Sequence, residues 1–551
     1  MKSKVIFFLI IFSFLFLFLS YLPNIYEVSL VNSLPADRVM VWGEHIYTYD
    51  YNVYLSKIRQ GKEGRWSVVD KYDNHPDAKG IFLQMLYLLS GKLGGVFHFT
   101  PVLTFQLLRT ILSVIWVTII IFLNVYFLQQ PNLYALGIAL SLLAAGWGHH
   151  MDWWQEMDVL KRISYVPHYT FSYISIAIAS VLLFKNRYFI FLCLLVFLLL
   201  LVQPSGALLI LGSWFIYHLL KRPFPWKKTI ILTVVALIPL LYIRSVTATY
   251  PWKSLVDFEK NYPLPFDLKE YILALGPVFF TGVAGLILVL WKRNSRLLPL
   301  ASWLLAAAAG MAVFTFFPSQ SPLRFVQTAN HIPLAILSVY FIQWLWNWNP
   351  KTWIFCDLGC LPAKRERGPT GAKKDMSRIP KIIIIVIIIT IIISNGLYQT
   401  ALSLKNQFAF IHQRAIATLP LVPYPPQVMY PLTDFWQAIM WLKNNTPETA
   451  VVLSKYTAGN YIPAYAGNFV YLGHGSETPH FDARSAQVNT FFSGEETADQ
   501  AKQFLIQNNI TYVFYGPQEK ENAVEDIGRY PFLKPVWQLP LVTIYRILNL
   551  N

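Results

Sequence analysis

Long apolar runs alternate with short polar ones along most of this chain. The apolar runs fall at about residues 4–21, 102–128, 131–148, 168–184, 188–203, 205–220, 229–246, 271–291, 297–317, 324–347 and 381–404. Most reach the roughly 17–25 residues that an α-helix needs to cross a bilayer. The stretch 188–220 is too long for one helix. Its break at Gln203-Pro204-Ser205-Gly206 predicts a tight hairpin. The segment 81–97, IFLQMLYLLSGKLGGVF, carries Lys92 and a glycine pair, and reads as a short span or as an amphipathic helix on the surface. The predicted architecture is a mainly α polytopic membrane protein of about eleven transmembrane helices.

After residue 404 the pattern changes. DFWQAIMWLKNNTP reads as an amphipathic helix, AVVLS and NFVYLGHG as strands, TADQAKQFLIQNN as a helix, TYVFYG as a strand, and VTIYRILN as a closing strand. Alternating strand and helix predicts a C-terminal α/β domain over 405–551, behind a transmembrane module at 1–404 with a long first outer loop at 22–101.

Charge sets the expected topology. The runs 185–187, 221–228, 292–296 and 349–381 are rich in Lys and Arg, which places them in the cytoplasm. The N-terminus is then inside and the C-terminal domain extracytoplasmic, with 81–97 not crossing. A bacterial inner membrane is the expected location. Lys2 and Lys4 ahead of a long apolar run, with no small-residue cleavage site behind it, read as an uncleaved signal anchor.

Composition agrees: 55% of residues are hydrophobic and only 13% charged, against about 25% charged in soluble domains. The net charge of +16 collects in loops between spans, so nucleic acid is not an expected partner; the bilayer is. Cys356 and Cys360 form one isolated pair, which argues against a zinc site. Neither a P-loop, a G-x-S-x-G elbow nor a dinucleotide glycine fingerprint occurs.

The candidate chemistry sits in the polar loops. Glu44, His45 and Asp50 fall within seven residues beside Trp42, Tyr47, Tyr49 and Tyr51. A carboxylate shielded by aromatic rings gains a raised pKa and can take a proton from a hydroxyl; the alternative is a set of solvated loop acids. The run that follows reads as a surface helix whose cations Lys57, Arg59 and Lys62 meet phosphate or anionic lipid. In the second polar loop, His149, His150 and Asp152 have ligand chemistry for substrate or a divalent metal. Lys161 and Arg162 face a phosphate or anchor the next helix. Arg324, after a Ser/Pro turn, suits a lipid phosphate or simply snorkels. In the tail, His474, Glu477, His480, Asp482 and Arg484 line a cleft or a structural loop.

This layout, with YDYNVYLSKIRQGKEGRW at 49–66 and IPAYAGNFVYLGHGSET at 462–478, resembles the GT-C class of membrane glycosyltransferases. Within the class it is similar to bacterial relatives of the dolichyl-phosphate-mannose–protein mannosyltransferase and aminoarabinose transferase group. The resemblance implies a sugar donor on a polyprenyl phosphate, an unidentified acceptor hydroxyl, and transfer with inversion. It implies a catalytic carboxylate in the first outer loop, with Asp50 the first choice and Glu44 the second. Arg324, Arg162 and Lys161 then bind donor phosphate, and His45, His149, His150 and Asp152 substrate. No cofactor is required; a divalent metal on Asp152 and His149 is the less favoured alternative. The competing readings are a transporter or flippase of a lipid-linked glycan and a non-catalytic envelope-assembly scaffold. Against the transporter, most ionisable residues sit in outer loops rather than mid-span, where the coupling residues of transporters lie.

Overall fold

The computed structural model describes residues 2–42, 44–46, 48–146, 157–317, 321–347, 378–417 and 429–548. The candidate residues His149, His150 and Asp152 lie outside the described residues, as do Cys356 and Cys360.

The first helix, α1 (Lys2–Ser29), runs eight residues past the expected span. Two short helices follow in the first polar loop, α2 (Thr48–Lys62) and α3 (Met85–Val96). At 12 residues, α3 is about 18 Å long and falls well short of the hydrocarbon core. It packs instead along α2. A Cβ on Gly61 would come within 2.0 Å of the Leu88 carbonyl oxygen, and one on Gly91 within 2.0 Å of the Ile58 carbonyl oxygen. Only glycine at both positions lets the two backbones cross this closely.

The helical body continues with α4 (Pro101–Leu128), α5 (Pro131–Leu143), α6 (Pro167–Phe184), α7 (Phe189–Leu200) and α8 (Pro204–Lys221). Proline opens four of these five, where its missing N–H costs no helical bond. The break between α7 and α8 falls at 201–203, ahead of Pro204. Then come α9 (Trp226–Thr247) and the amphipathic α10 (Lys253–Asn261). A bent pair follows, α11 (Leu268–Leu275) and α12 (Pro277–Trp291), which meet at 94° where one straight span was expected. The last members are α13 (Leu298–Phe316), α14 (Leu323–Val326), α15 (His331–Asn347) and the 39-residue α16 (Arg378–Ile416).

Among the described residues, five helices are long and apolar enough to cross a membrane, or six if the bent pair forms one span. Others, such as Pro131–Leu143 and Phe189–Leu200, are apolar but short. The expected count of eleven is therefore not established. What stands is a multi-pass, mainly helical protein with a small C-terminal sheet.

The tail forms that sheet from β1 (Val451–Leu453), β2 (Phe469–Val470), β3 (Tyr512–Tyr515), β4 (Leu533–Gln538) and β5 (Thr543–Ile547), in the order β2-β1-β3-β5-β4. The first three strands are parallel, and β5 and β4 add on antiparallel. A helix at Tyr456–Tyr465 connects β1 to β2, as parallel pairing requires. This helix lies against α2, where Asn52 Nδ2 donates to Asn460 Oδ1 at 2.7 Å and Asn460 Nδ2 to the Tyr49 carbonyl at 3.2 Å. One buried hydrophobic core runs without interruption from Trp116 and Trp303 in the helical body to Ile462 and Phe514 in the tail.

Candidate functional site

The second helix organises the site. Its sequence mixes polar and apolar residues evenly, and nearly every face is buried: Tyr51, Leu55 and Ile58, but also Asn52, Ser56, Lys57 and Gln60. The polar residues are satisfied inside. Gln60 holds both the N–H and the carbonyl of Val69 at 2.8 and 3.0 Å. Lys57 Nζ pairs with Glu477 at 2.9 Å and donates to Gln84 at 2.7 Å. Arg59 binds Glu63 and the Tyr465 carbonyl, both at 2.6 Å. The expected basic surface helix is thus corrected. Two of its three cations are committed to the protein, because α2 is clamped between the helical body and the tail.

Asp50 lies in the first turn of α2, where the helix dipole favours an anion. Its carboxylate Oδ1 sits 3.1 Å from His474 Nε2, and His474 Nδ1 lies 3.2 Å from Ser476 Oγ. The His474 ring stacks on Tyr49 at 3.8 Å, and Tyr49 stacks in turn on Tyr456. The loop around it is closed by Thr478, whose Oγ1 accepts from the amides of Gly473 and His474. The Gly475 amide donates to the Tyr49 hydroxyl. A Cβ at Gly475 would come within 2.7 Å of the Phe258 ring, so only glycine fits this approach. The His474 side chain is 5% exposed and that of Asp50 38%, so the carboxylate opens outward from a fixed support.

The expectation of a raised pKa for Asp50 is reversed. Burial works against ionisation, but the His474 hydrogen bond and charge, with His168 and Arg324 behind them, outweigh it. The carboxyl is held below the usual aspartate range, and Asp50 is an anion at neutral pH.

Arg324 acts on the same carboxylate. It stands in α14, donating Nη1 to the Tyr169 hydroxyl at 3.2 Å and pairing Nε with Glu259 at 3.4 Å. Its side chain is 35% exposed. Tyr169 stands next to His168, which meets the Tyr87 hydroxyl at 2.8 Å. Asp50 and His474 therefore meet from the first loop and the tail, and His168 of α6 and Arg324 of α14, both in contact with Tyr169, lie within electrostatic reach of the pair.

The other candidates are placed differently. Glu44 is buried and ion-paired with Arg109 of α4, and His45 lies 3.4 Å from Glu27 and 3.7 Å from Glu44. His45 Nε2 meets Gln407 at 2.9 Å, and Gln407 reaches Asp158 through Ser403. This is a sealed network apart from the open carboxylate of Asp50. Arg162 is 1% exposed and gives its guanidinium to the carbonyls of Ala144 and Leu142 at 2.7 and 2.5 Å. Two of its N–H donors are thus spent on backbone carbonyls in the interior. The Lys161 amide caps Asp158. Sequence reasoning missed His168 as a site residue, a lone histidine at the start of an apolar run. His474 was noted only as part of the tail loop; its link to Asp50 spans 424 residues.

Among the described residues, no group of three His, Cys, Asp or Glu side chains could hold a metal ion. Asp50 and His474 supply two potential ligands; a third would have to come from elsewhere.

No protein-family model matches the chain, and no curated protein sequence does. Solved structures do. The oligosaccharyltransferase of Archaeoglobus fulgidus, in its apo form, aligns with a TM-score of 0.50 at 14% identity, covering 91% of this chain and 69% of that one. ArnT from Cupriavidus metallidurans, solved bound to undecaprenyl phosphate, gives 0.47 at 12% identity, covering 97% of both chains. The arabinofuranosyltransferase AftD from Mycobacteria gives 0.49 at 12% identity, covering 98% of this chain and 41% of that one. The archaeal enzyme has also been solved with zinc and sulfate. At these identities the likeness is one of fold.

Proposed function

We propose that this protein is a GT-C-type membrane glycosyltransferase. It moves a sugar from a polyprenyl-phosphate donor to an acceptor hydroxyl on the outer side of the membrane, with inversion. One observation carries the reading: the carboxylate of Asp50, in the first outer loop, is held at 3.1 Å by His474 of the tail and is 38% exposed on its other side. The fold shared with an oligosaccharyltransferase supports it.

In this mechanism the donor phosphate lies against Arg324, whose planar fork suits phosphate oxygens. The acceptor hydroxyl sits on Asp50. Its oxygen attacks the anomeric carbon as the bond from that carbon to the phosphate oxygen breaks. The bonding pair leaves with the lipid phosphate, and the hydroxyl proton passes to Asp50. A single displacement inverts the configuration. An aspartate held below its usual pKa is a weak base toward a resting hydroxyl. It becomes competent as the hydroxyl oxygen gains positive charge in the transition state. His474 positions the carboxylate and keeps it ionised. The paired phosphate is an adequate leaving group without a general acid. No step here runs through a metal.

The test is turnover of a radiolabelled polyprenyl-phosphate sugar by the full chain in lipid nanodiscs. Release of polyprenyl phosphate, with the label transferred to an acceptor or to water, is expected. A purified, folded protein that binds such a lipid and moves it between leaflets without breaking the sugar–phosphate bond would replace this reading with the flippase.

A further inference from the structure

We propose that the cleft between α10 and the tail loop is the acceptor subsite, and that its occupant is a neutral carbohydrate. The proposal rests on the transferase reading above and adds the class of acceptor. The cleft has a volume of about 270 Å³, with Asp257, Phe258, Asn261, Tyr262, Phe481 and Asp482 among its lining residues. That is close to the lower end of the roughly 300–1,000 Å³ of small-molecule sites. Gly475 is part of its wall, and Gly475 is the residue after His474 and the donor to Tyr49. The cleft thus shares Gly475 and Thr478 with the loop that carries His474, the support of Asp50.

Its chemistry fits a sugar ring. Pyranoses and furanoses present a face of polarised C–H bonds and a rim of hydroxyls. The rings of Phe258 and Tyr262 stand 4.8 Å apart and tilted by 37°, and Phe481 closes the far wall against Tyr456. Their negative faces attract C–H groups. The carboxylates of Asp257 and Asp482 and the amide of Asn261 are acceptors for hydroxyl protons. Asp482 already accepts the Tyr262 hydroxyl, which fixes the ring edge. Asp257 is loosely paired with Lys253 at 3.8 Å, but both carboxylates line the cleft and, among the described residues, no lysine or arginine does, which disfavours phosphate, uronate or carboxylate ligands. An extended peptide docks through a row of open backbone groups. Here the loop amides of Gly473, His474 and Gly475 are already taken by Thr478 and Tyr49.

Ala483, exposed in the first turn of the helix Phe481–Ser493, lines the cleft, and Ala486 lies one turn on in solvent. Fluorescently tagged full chain is applied to an array of neutral, amino and acidic oligosaccharides and peptides. The expected result is binding to neutral glycans that falls about tenfold or more in Ala483→Trp and holds in Ala486→Trp, with both variants melting as the parent does. No neutral glycan bound, equal binding by Ala483→Trp, or preference for acidic glycans or peptides would each overturn the proposal. Should Ala483→Trp fail to fold, Asp257→Asn at the exposed rim carries the same comparison. Glycan binding at this cleft without any cleavage of a lipid-linked sugar would instead break the transferase reading and leave the cleft standing.

Discussion

Two carboxylates six positions apart, Glu44 and Asp50, each lie beside a histidine and in the field of an arginine, and the resemblance between them ends there. The Glu44 side chain is 3% exposed, bonded to Arg109, and backed by His45 and Glu27 in a sealed interior. The Asp50 side chain is 38% exposed, held by one histidine from behind, with its arginine at a distance and itself half open. A carboxylate whose lone pairs are all spoken for stabilises; one fixed on a single side keeps the other for substrate. The difference comes from what packs on each. Glu44 bonds Arg109 of α4 and stands beside His45, itself held by Glu27 of α1 and Gln407 of α16, whereas the bond that fixes Asp50 comes from His474 of the tail loop.

Exchanging the two acids' charges would separate these roles. Asp50→Asn keeps the shape and removes the base. Transfer is expected to fall by about 10²–10⁴, with the melting temperature little changed, since the amide can still bond His474. Loss of the fold along with the activity would put Asp50 in the same structural class as Glu44. In Glu44→Gln the order is reversed. A buried Arg109 left without its partner costs about 3–5 kcal/mol, read as a melting temperature well below that of the parent. Such residual protein as stays folded should turn over normally.

The sequence marked both acids but could not rank them by environment. The polar loop, the apolar runs and the tail's strand–helix alternation were all legible, because each leaves a local pattern. His474 was not, since its link to Asp50 exists only once the tail folds back on α2. The burial of Lys57 was equally hidden. Its partner, Glu477, lies 420 residues away, and alone on a short polar helix a lysine reads as solvated. The setting of Arg162 was hidden too: a cation beside a loop suggests phosphate, and nothing local shows that it ties down open carbonyls at the end of α5.

Arg324 sharpens the comparison from the phosphate side. Arg324→Ala should lower kcat/KM for the lipid-linked donor by about ten- to a hundredfold, the worth of one or two charge-assisted bonds. Arg324→Lys should recover only part of it, since a point charge lacks the fork. If both variants turn over donor like the parent, the phosphate lies elsewhere. The pH profile supplies the matching check on Asp50. Its depressed pKa keeps it ionised, so kcat/KM should hold its level downward through pH 5 and decline only as the pH falls below the ordinary aspartate range. An acidic limb near pH 6 that vanishes in Asp50→Asn would contradict the depressed pKa.

The smallest effect concerns a third carboxylate, Asp70, which has neither the pairing of Glu44 nor the opening of Asp50. It is 3% exposed. Oδ1 accepts the Tyr72 amide at 2.8 Å, and Oδ2 has no hydrogen-bond partner. Burial, with the charges of Glu477 and Asp73, pushes its carboxyl well above the usual range. The folded protein therefore holds a proton that the unfolded chain gives up near its ordinary pKa of about 4. Between that value and the raised one the native state binds more protons, so Asp70 makes stability fall as pH rises. Asp70→Asn keeps the Tyr72 bond and removes the charge. It should raise the melting temperature at neutral pH by an amount equivalent to about 1 kcal/mol and should have no effect below about pH 4. A variant that instead melts lower at pH 7 would mean that the ionised carboxylate, held by nearby Lys57, contributes more than its burial costs.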